Sequence, residues 1–359
     1  MTITTIEPMT GTAIYGPRPG VENILVTGGA GFIGSWMCQH LVLRYPEYNI
    51  ICLDKISSVS SLNNIKYIQG RTNFRFVQGD LCDKEHLVHI LKEYDIDSVI
   101  HFAAESSVQK SFSDPIAFVD MNVYGTLFLM EAMRIHGKIT RFVHTSTDEV
   151  YGETWGVSVD EDTRMNPTNP YAASKAAAEM LIMAYQKSFN IPGIVLRCNN
   201  IYGPGQFPEK LIPKFTMLVN DSQKLTMQGN GSRTRSFIYV ADVVAAYDAV
   251  LHNGMVGAAY NVSSSDEVSI RDVAIEILKA FGHDSQEEFE NFIISAPDRP
   301  YNDNDYVVKG GKLKDLGWSQ KVFFNEGLSK TVEWYRKHGD RWWEQQLGNT
   351  IVLHGSHHT

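Results

Sequence analysis

Asn23-Ile24-Leu25-Val26-Thr27-Gly28-Gly29-Ala30-Gly31-Phe32-Ile33-Gly34 is an apolar, β-favouring run that ends in a glycine turn. A helical pattern through Trp36, Leu41 and Val42 follows it. Strand, glycine turn and helix in this order form the setting in which such a motif binds a dinucleotide. Gly28 permits the tight turn, Gly31 lets the backbone approach a pyrophosphate, and Gly34 allows helix and strand to pack closely. Phe32 and Ile33 open the helix, whose N-terminus faces the phosphate anion. The next strand, Asn49 to Leu53, ends at Asp54, followed by Lys55. A carboxylate there hydrogen-bonds the adenosine ribose and repels a 2′-phosphate, so NAD is favoured over NADP. Taken alone, Asp54 would read as a loop aspartate.

The alternation continues outward. Phe74 to Val77 leads to Asp80-Leu81, a candidate adenine contact, and Asp83 to Tyr94 is helical. Ser98-Val99-Ile100-His101-Phe102-Ala103-Ala104 reads as a buried strand whose end, Glu105-Ser106-Ser107, faces the same crevice. One long helix is expected from about Ile116 to Ile135, then strands over 141–145 and 193–197. Repeated units of this length predict an α/β protein with a Rossmann-type, doubly wound parallel sheet. Beyond Asn200 breakers accumulate, and helices near 241–252, 269–281 and 326–338 complete a smaller mixed α/β lobe for substrate. The expected organisation is a flexible tail over 1–20, a dinucleotide domain over 21–200 to which 235–265 returns, the substrate lobe over 201–345, and a flexible tail over 346–359.

Thr147-Asp148-Glu149 follows the strand Arg141 to Thr145 and sets a hydroxyl and two carboxyls at a strand's carboxyl end. Further on, Asn169 suits an N-cap and Pro170 the first helical position. Tyr171 and Lys175 then share a helix face. A cation beside a phenol lowers its pKa, which makes Tyr171 a plausible base. A Tyr and a Lys at helical spacing usually mean nothing, and an Asp-Glu pair is more often a turn. Behind a dinucleotide fingerprint the combination reads as chemistry.

The 359 residues carry 43% hydrophobic and 20% charged residues, ordinary for a soluble globular protein. A net charge of −9 argues against nucleic-acid binding. Cys38, Cys52, Cys82 and Cys198 have no metal-like spacing and read as reduced thiols of a cytoplasmic protein; no metal is expected. No apolar run is judged long enough to span a bilayer, so no membrane partner is expected.

These motifs resemble the extended short-chain dehydrogenase/reductase family, and within it the nucleotide-sugar 4,6-dehydratases. The resemblance runs from about Asn23 to Trp343. The glycine turn and the Tyr171/Lys175 pair fix only fold and cofactor; Thr147-Asp148-Glu149 is the specific part. Asp-Glu there looks like the glucose 4,6-dehydratases that act on dTDP-glucose or UDP-glucose, whereas GDP-mannose dehydratases show Ser-Glu. Arg197 to Pro204 and Phe207 to Pro213 strengthen the match. The resemblance implies that these segments, with Lys210, Arg235 and Arg299, hold the nucleoside diphosphate. It adds Phe102, Ala103, Ala104, Ser106 and Asn122 to the NAD contacts. It adds Glu105, Ser106, Thr147, Asn200, Leu211, Thr226 and Gln228 to the substrate contacts. It also implies a homodimer through helices near 116–135 and 170–189. Ser107-Val108-Gln109 stands where bacterial dTDP-glucose enzymes have His-Val-Asp, Met121 where they tend to have Thr, and Arg235-Ser236-Phe237 where they have Arg-Asp-Trp. These departures favour UDP-glucose.

On this reading Tyr171 takes the carbon 4 hydroxyl proton, Lys175 holds the phenolate and Thr147 orients the hydroxyl. Glu149 removes the carbon 5 proton and protonated Asp148 expels the carbon 6 hydroxyl. Neighbouring carboxyls with opposite tasks need separated pKa values. A 4-epimerase or decarboxylase of the same fold has no use for the acid at Asp148. A non-catalytic NAD sensor has no use for Tyr171, Lys175, Asp148 and Glu149 together.

Overall fold

The computed structural model describes residues 7–297, 301 and 303–343. Its sheet is built from β1 (Asn23–Thr27), β2 (Asn49–Asp54), β3 (Phe74–Gln78), β4 (Ser98–His101), β5 (Arg141–Thr147), β6 (Gly193–Cys198) and β10 (Ala259–Val262). The order is β3-β2-β1-β4-β5-β6-β10, every pair parallel. Nearly unbroken apolar runs such as Val99-Ile100 and Ile194-Val195-Leu196 suit strands covered on both faces. Strand order reverses beside β1, and the crevice opens there, outside the carboxyl ends.

Helices α1 (Phe32–Arg44), α2 (Lys84–Glu93), α3 (Val108–Ser113), α4 (Pro115–Phe118), α5 (Thr126–His136) and α6 (Pro170–Phe189) come from the first part of the chain. The second lobe holds a sheet of β7 (Asn200–Tyr202), β9 (Thr234–Tyr239) and β11 (Glu267–Ser269), and a parallel pair of β8 (Leu225–Gln228) and β12 (Ile293–Ala296). Its helices are α7 (Leu211–Asn220), α9 (Ile270–Ala280), α10 (Gln286–Phe292), α11 (Lys312–Asp315) and α12 (Phe324–Trp342). Between β9 and β10, α8 (Val240–Asn253) returns to the large sheet and packs on α1.

Three expectations need correcting. The single helix from Ile116 to Ile135 is α4, a π-helical turn over Val119–Gly125, and α5. The Thr126 hydroxyl donates to Asn122 O at 2.7 Å, and a side chain inserted into the carbonyl ladder favours such a bulge. The run Pro115–His136 does reach a span's length, with mean hydropathy 1.2 over its most apolar 18 residues, although 44% of that window is buried inside the protein. The third correction concerns residues 9–18, which do not hang loose. Met9 N donates to Gln39, Gly11 N to His40 and Thr12 Oγ1 to Asp242, while Arg18 reaches His252 O. Their partners lie on α1 and α8, and side-chain anchors so distant in the chain leave no local period to read.

Candidate active site

The cofactor half forms where β1 ends. Gly28 has φ +67°, and a Cβ on it would meet Ala103 N at 2.7 Å. A Cβ on Gly34 would meet Gly28 O at 2.2 Å, so only hydrogen fits between turn and helix. The N-cap of α1, Gly31, makes no side-chain cap and the first turn holds no acid, which leaves its amides to an anion. These features fit a dinucleotide pyrophosphate. Asp54 both lines the crevice and braces it: its carboxylate accepts from Ala30 N (3.1 Å), Ile56 N (2.8 Å) and Ser60 Oγ (3.0 Å).

One cavity of about 1310 Å³ connects the two lobes. Gly28, Gly31, Phe32, Ile33, Gly34, Asp54, Lys55, Asp80, Leu81, Phe102, Ala103, Ala104 and Ser106 line its cofactor end. Asn122 does not line it. It is 1% exposed, and its amide binds both backbone groups of Glu105 and the Ser174 hydroxyl, tying the loop after β4 to α6.

At the end of β5, Thr147 accepts from Glu149 N at 3.3 Å and donates to Asp148 Oδ1 at 3.2 Å. Asn199 Nδ2 donates to Asp148 Oδ2 at 2.7 Å. Burial foremost, and then the Glu149 carboxylate, push Asp148 up to about 7. Glu149 Oε2 accepts from Asn169 Nδ2 at 2.9 Å, while Asn169 Oδ1 caps α6 through Ala172 N. Tyr171 lines the same cavity as Thr147, Asp148 and Glu149. Lys175 is 3% exposed, and burial brings it down to about 8 against the support of Glu179. The expected lowering of Tyr171 by Lys175 is not found: burial first, and then Glu149, raise the phenol. At this depth desolvation outweighs a cation one helical turn away.

The substrate end is lined by Glu105, Asn200, Lys210, Leu211, Thr226, Gln228 and Arg235. Lys210 Nζ donates to Ser106 O at 2.6 Å, so one candidate cation bridges the lobes. The Arg235 guanidinium donates to the carbonyls of Thr234, Asp303 and Asn304 and lies 5.1 Å over the Tyr306 ring. Arg299 lies outside the described residues.

Residues 25–331 match the family model described as GDP-mannose 4,6 dehydratase. The chain belongs to that family. It is 45% identical over 339 residues to a trifunctional UDP-glucose 4,6-dehydratase/UDP-4-keto-6-deoxy-D-glucose 3,5-epimerase/UDP-4-keto-L-rhamnose-reductase of Arabidopsis thaliana, covering 94% of this chain and 49% of that protein. The chain thus spans about half the length of the Arabidopsis relatives. The dTDP-D-glucose 4,6-dehydratase of Homo sapiens is 43% identical, over 91% of this chain and 93% of that one. Among solved structures, the dTDP-glucose 4,6-dehydratase DesIV of Streptomyces venezuelae, with NAD and TYD bound, superposes with a TM-score of 0.85 at 35% identity. That match covers 90% of this chain and 99% of DesIV.

Several groups of this family member's site were not singled out from sequence. Asn199 lies inside the matching segment Arg197 to Pro204 with no signal of its own, yet it holds one oxygen of Asp148. The sequence shows Asn169 as a cap alone; the bond from its Nδ2 to Glu149 has no local signal. Tyr301, Asp303 and Tyr306 line the cavity from a loop with no regular pattern. Asp303 is held there by the Thr168 and Tyr306 hydroxyls.

Proposed function

We propose that this chain is a nucleoside-diphosphate-glucose 4,6-dehydratase that uses NAD, with UDP-glucose or dTDP-glucose as substrate and a 4-keto-6-deoxyglucose nucleotide as product. The observation that carries the reading is the Asp148/Glu149 pair: a buried acid at about 7 beside a second carboxyl, both next to Tyr171. The names of the relatives support the reaction type. The chemistry that NAD supplies when bound is reversible acceptance of a hydride. Gly28, Gly31, Asp54 and the first turn of α1 would hold it. A hydrogen on carbon 5 is not acidic until carbon 4 is a ketone. Tyr171 receives the carbon 4 hydroxyl proton, Glu149 withdraws the carbon 5 proton and later returns it, and Asp148 protonates the departing carbon 6 oxygen. Lys210 and Arg235 meet the diphosphate. Arg299 is proposed beside them.

Purified protein with NAD, incubated with UDP-glucose and separately with dTDP-glucose, should yield a product lighter by one water in mass spectrometry. Return of both nucleotides unchanged would overturn the reading. The departures at Gln109, Met121 and Ser236 support UDP-glucose as the faster substrate, which the same comparison decides.

We further infer a homodimer. Packed helices α5 and α6, with α4 and the π-helical turn after it, expose Ile116, Tyr124, Ile135, Met180, Met183 and Phe189. So many large apolar side chains on neighbouring helices suit a second copy of the chain. Met183→Glu should shift the sedimentation coefficient from dimer to monomer; an unchanged value at micromolar concentration would contradict this face. Free Cys38, Cys52 and Cys198, all buried, support a reducing compartment such as the cytoplasm.

A further inference from the structure

Within Gly28-Gly29-Ala30-Gly31 only Ala30 has a side chain, and other segments hold both of its backbone groups. Ala30 N donates to Asp54 Oδ2 at 3.1 Å. Ala30 O accepts from Asn64 Nδ2 at 2.9 Å and from Ser61 N at 3.0 Å. Glycines lose more conformational freedom on ordering than other residues, so a glycine turn that is to receive a pyrophosphate gains from bracing by its surroundings. Holding a carbonyl holds the planar peptide unit to which it belongs. Here that unit leads into Gly31, the N-cap of α1.

Asn64 sits on the 3₁₀ turn Leu62–Ile65, is buried, and lies behind the cavity wall. Its Oδ1 accepts from Trp342 Nε1 at 2.7 Å, at the last residue of α12. Its backbone carbonyl accepts from Gln39 Nε2 at 2.8 Å, and Gln39 Oε1 accepts from Met9 N at 3.0 Å. An indole N–H and a backbone N–H only donate, and a carbonyl only accepts, so these neighbours fix how both side-chain amides are turned. The loop after β7 closes on the same spot: a Cβ on Gly205 would stand 3.4 Å from Asn64 Oδ1. Gln39 and Trp342 are buried too, which shields this connection from water.

We propose that Asn64 is a positioning residue for the cofactor, clamping the segment at Met9 (through Gln39) and α12 (through Trp342) onto the turn that receives the dinucleotide. This rests on the NAD reading of that turn. The proposed reaction supplies the need: the hydride taken at carbon 4 is returned at carbon 6, so one cofactor molecule serves every turnover and has reason to stay bound. With the clamp closed, the turn is already in its receiving shape and little ordering is left for binding to bring about. With Asn64 unable to donate, the Ala30 peptide is held by Ser61 and Asp54 alone, and the cofactor should leave sooner.

The test loads the full-length protein with radiolabelled NAD, dilutes it into unlabelled NAD and follows the label retained. Asn64→Leu, similar in volume, should release NAD about tenfold faster, since it leaves the Trp342 indole unpaired and removes one bond from Ala30 O. Asn64→Asp carries a further signature. Its carboxylate still accepts from Trp342 but sets an oxygen against Ala30 O, whereas its protonated carboxyl can donate there. Facing a carbonyl in a buried site, that carboxyl is raised, so release should be fast at about pH 9 and return towards the unaltered rate at about pH 6. Asn64→Leu should be fast at both. Gln39→Met should speed release alone and add less in the Asn64→Leu background, because both cut one connection. The control is Asn73→Asp, which loses bonds from Nδ2 to Val42 O and Tyr48 O at the far end of α1. It should keep the unaltered release rate even where its melting temperature falls. Release from Asn64→Leu at the unaltered rate would overturn the proposal, as would equal acceleration in Asn73→Asp, since Asn64 would then brace the fold and not the cofactor. Should Asn64→Leu fail to fold, Asn64→Asp decides, a rate unchanged between the two pH values being the contrary result. Failure of the NAD reading is seen separately, as no label retained by the unaltered protein.

Discussion

Asp148→Asn should lower formation of dehydrated product by about 10²–10⁴-fold, the usual worth of a positioned acid. The amide fills the same volume and can keep a hydrogen bond to Asn199 or Thr147, so binding of NAD and the melting temperature should stay close to those of the unaltered protein. What disappears is the acidic proton. The carboxyl is 2% exposed, and burial and Glu149 together hold it at about 7. An ordinary aspartic acid near 4 would be almost wholly ionised at neutrality and a poor acid for a hydroxyl leaving group. The assay is water loss from UDP-glucose by mass spectrometry under substrate saturation. Full activity in this variant would remove Asp148 from the reaction. The companion change, Glu149→Gln, should stop solvent deuterium from entering carbon 5 of the product; normal incorporation would assign that proton to another group.

The fold was legible because its main signals are local. The β1 run, the glycine turn and the spacing to Asp54 lie within a few tens of residues, and each glycine's reason is a contact a Cβ would make. Thr147, Asp148, Glu149, Tyr171 and Lys175 were legible for the same cause, being two short motifs at the ends of regular elements. The electrostatic relation between Tyr171 and Lys175 was not. Spacing gives adjacency on a helix, but the sign of a phenol's shift depends on how deeply both groups are buried, and that is set by the whole lobe. The strap over residues 9–18 was hidden likewise, since Asp242 and His252, which fix it, are more than 200 residues away. Asn122 shows the reverse error. The resemblance places it among the NAD contacts, yet the π-helical turn directs its amide to Glu105 and Ser174.

Behind the catalytic strand, Glu179→Gln should destabilise the protein by about 3–5 kcal/mol, the cost of leaving a buried charge without its partner. Arg197 on β6 and Glu179 on α6 meet at 2.7 Å with side chains 6% and 1% exposed. The Arg197 guanidinium also donates to the Tyr151 hydroxyl and Glu161 O, and the Ser146 hydroxyl donates to Glu179. Without the carboxylate, the guanidinium keeps its neutral acceptors but loses the anion that offsets its burial. Chemical denaturation measures the loss, and a change below about 1 kcal/mol would show that neutral acceptors suffice. A second consequence reaches the active site. Glu179 is the main group that supports the charge on Lys175, one turn earlier on α6, against the burial that brings it down to about 8. Its removal lowers Lys175 further. Where the reaction needs cationic Lys175, activity is full below that pKa and falls as pH rises through it. The alkaline limb of the rate profile, near 8 in the unaltered protein, should therefore move to lower pH in Glu179→Gln. Replacing Arg197 and Glu179 together by Met should recover most of the stability, because neither member of the pair is then left as a buried charge without its partner. It should not restore the alkaline limb, because Lys175 still lacks its anion. A double variant that regained stability and the original pH profile together would break the link between this ion pair and Lys175.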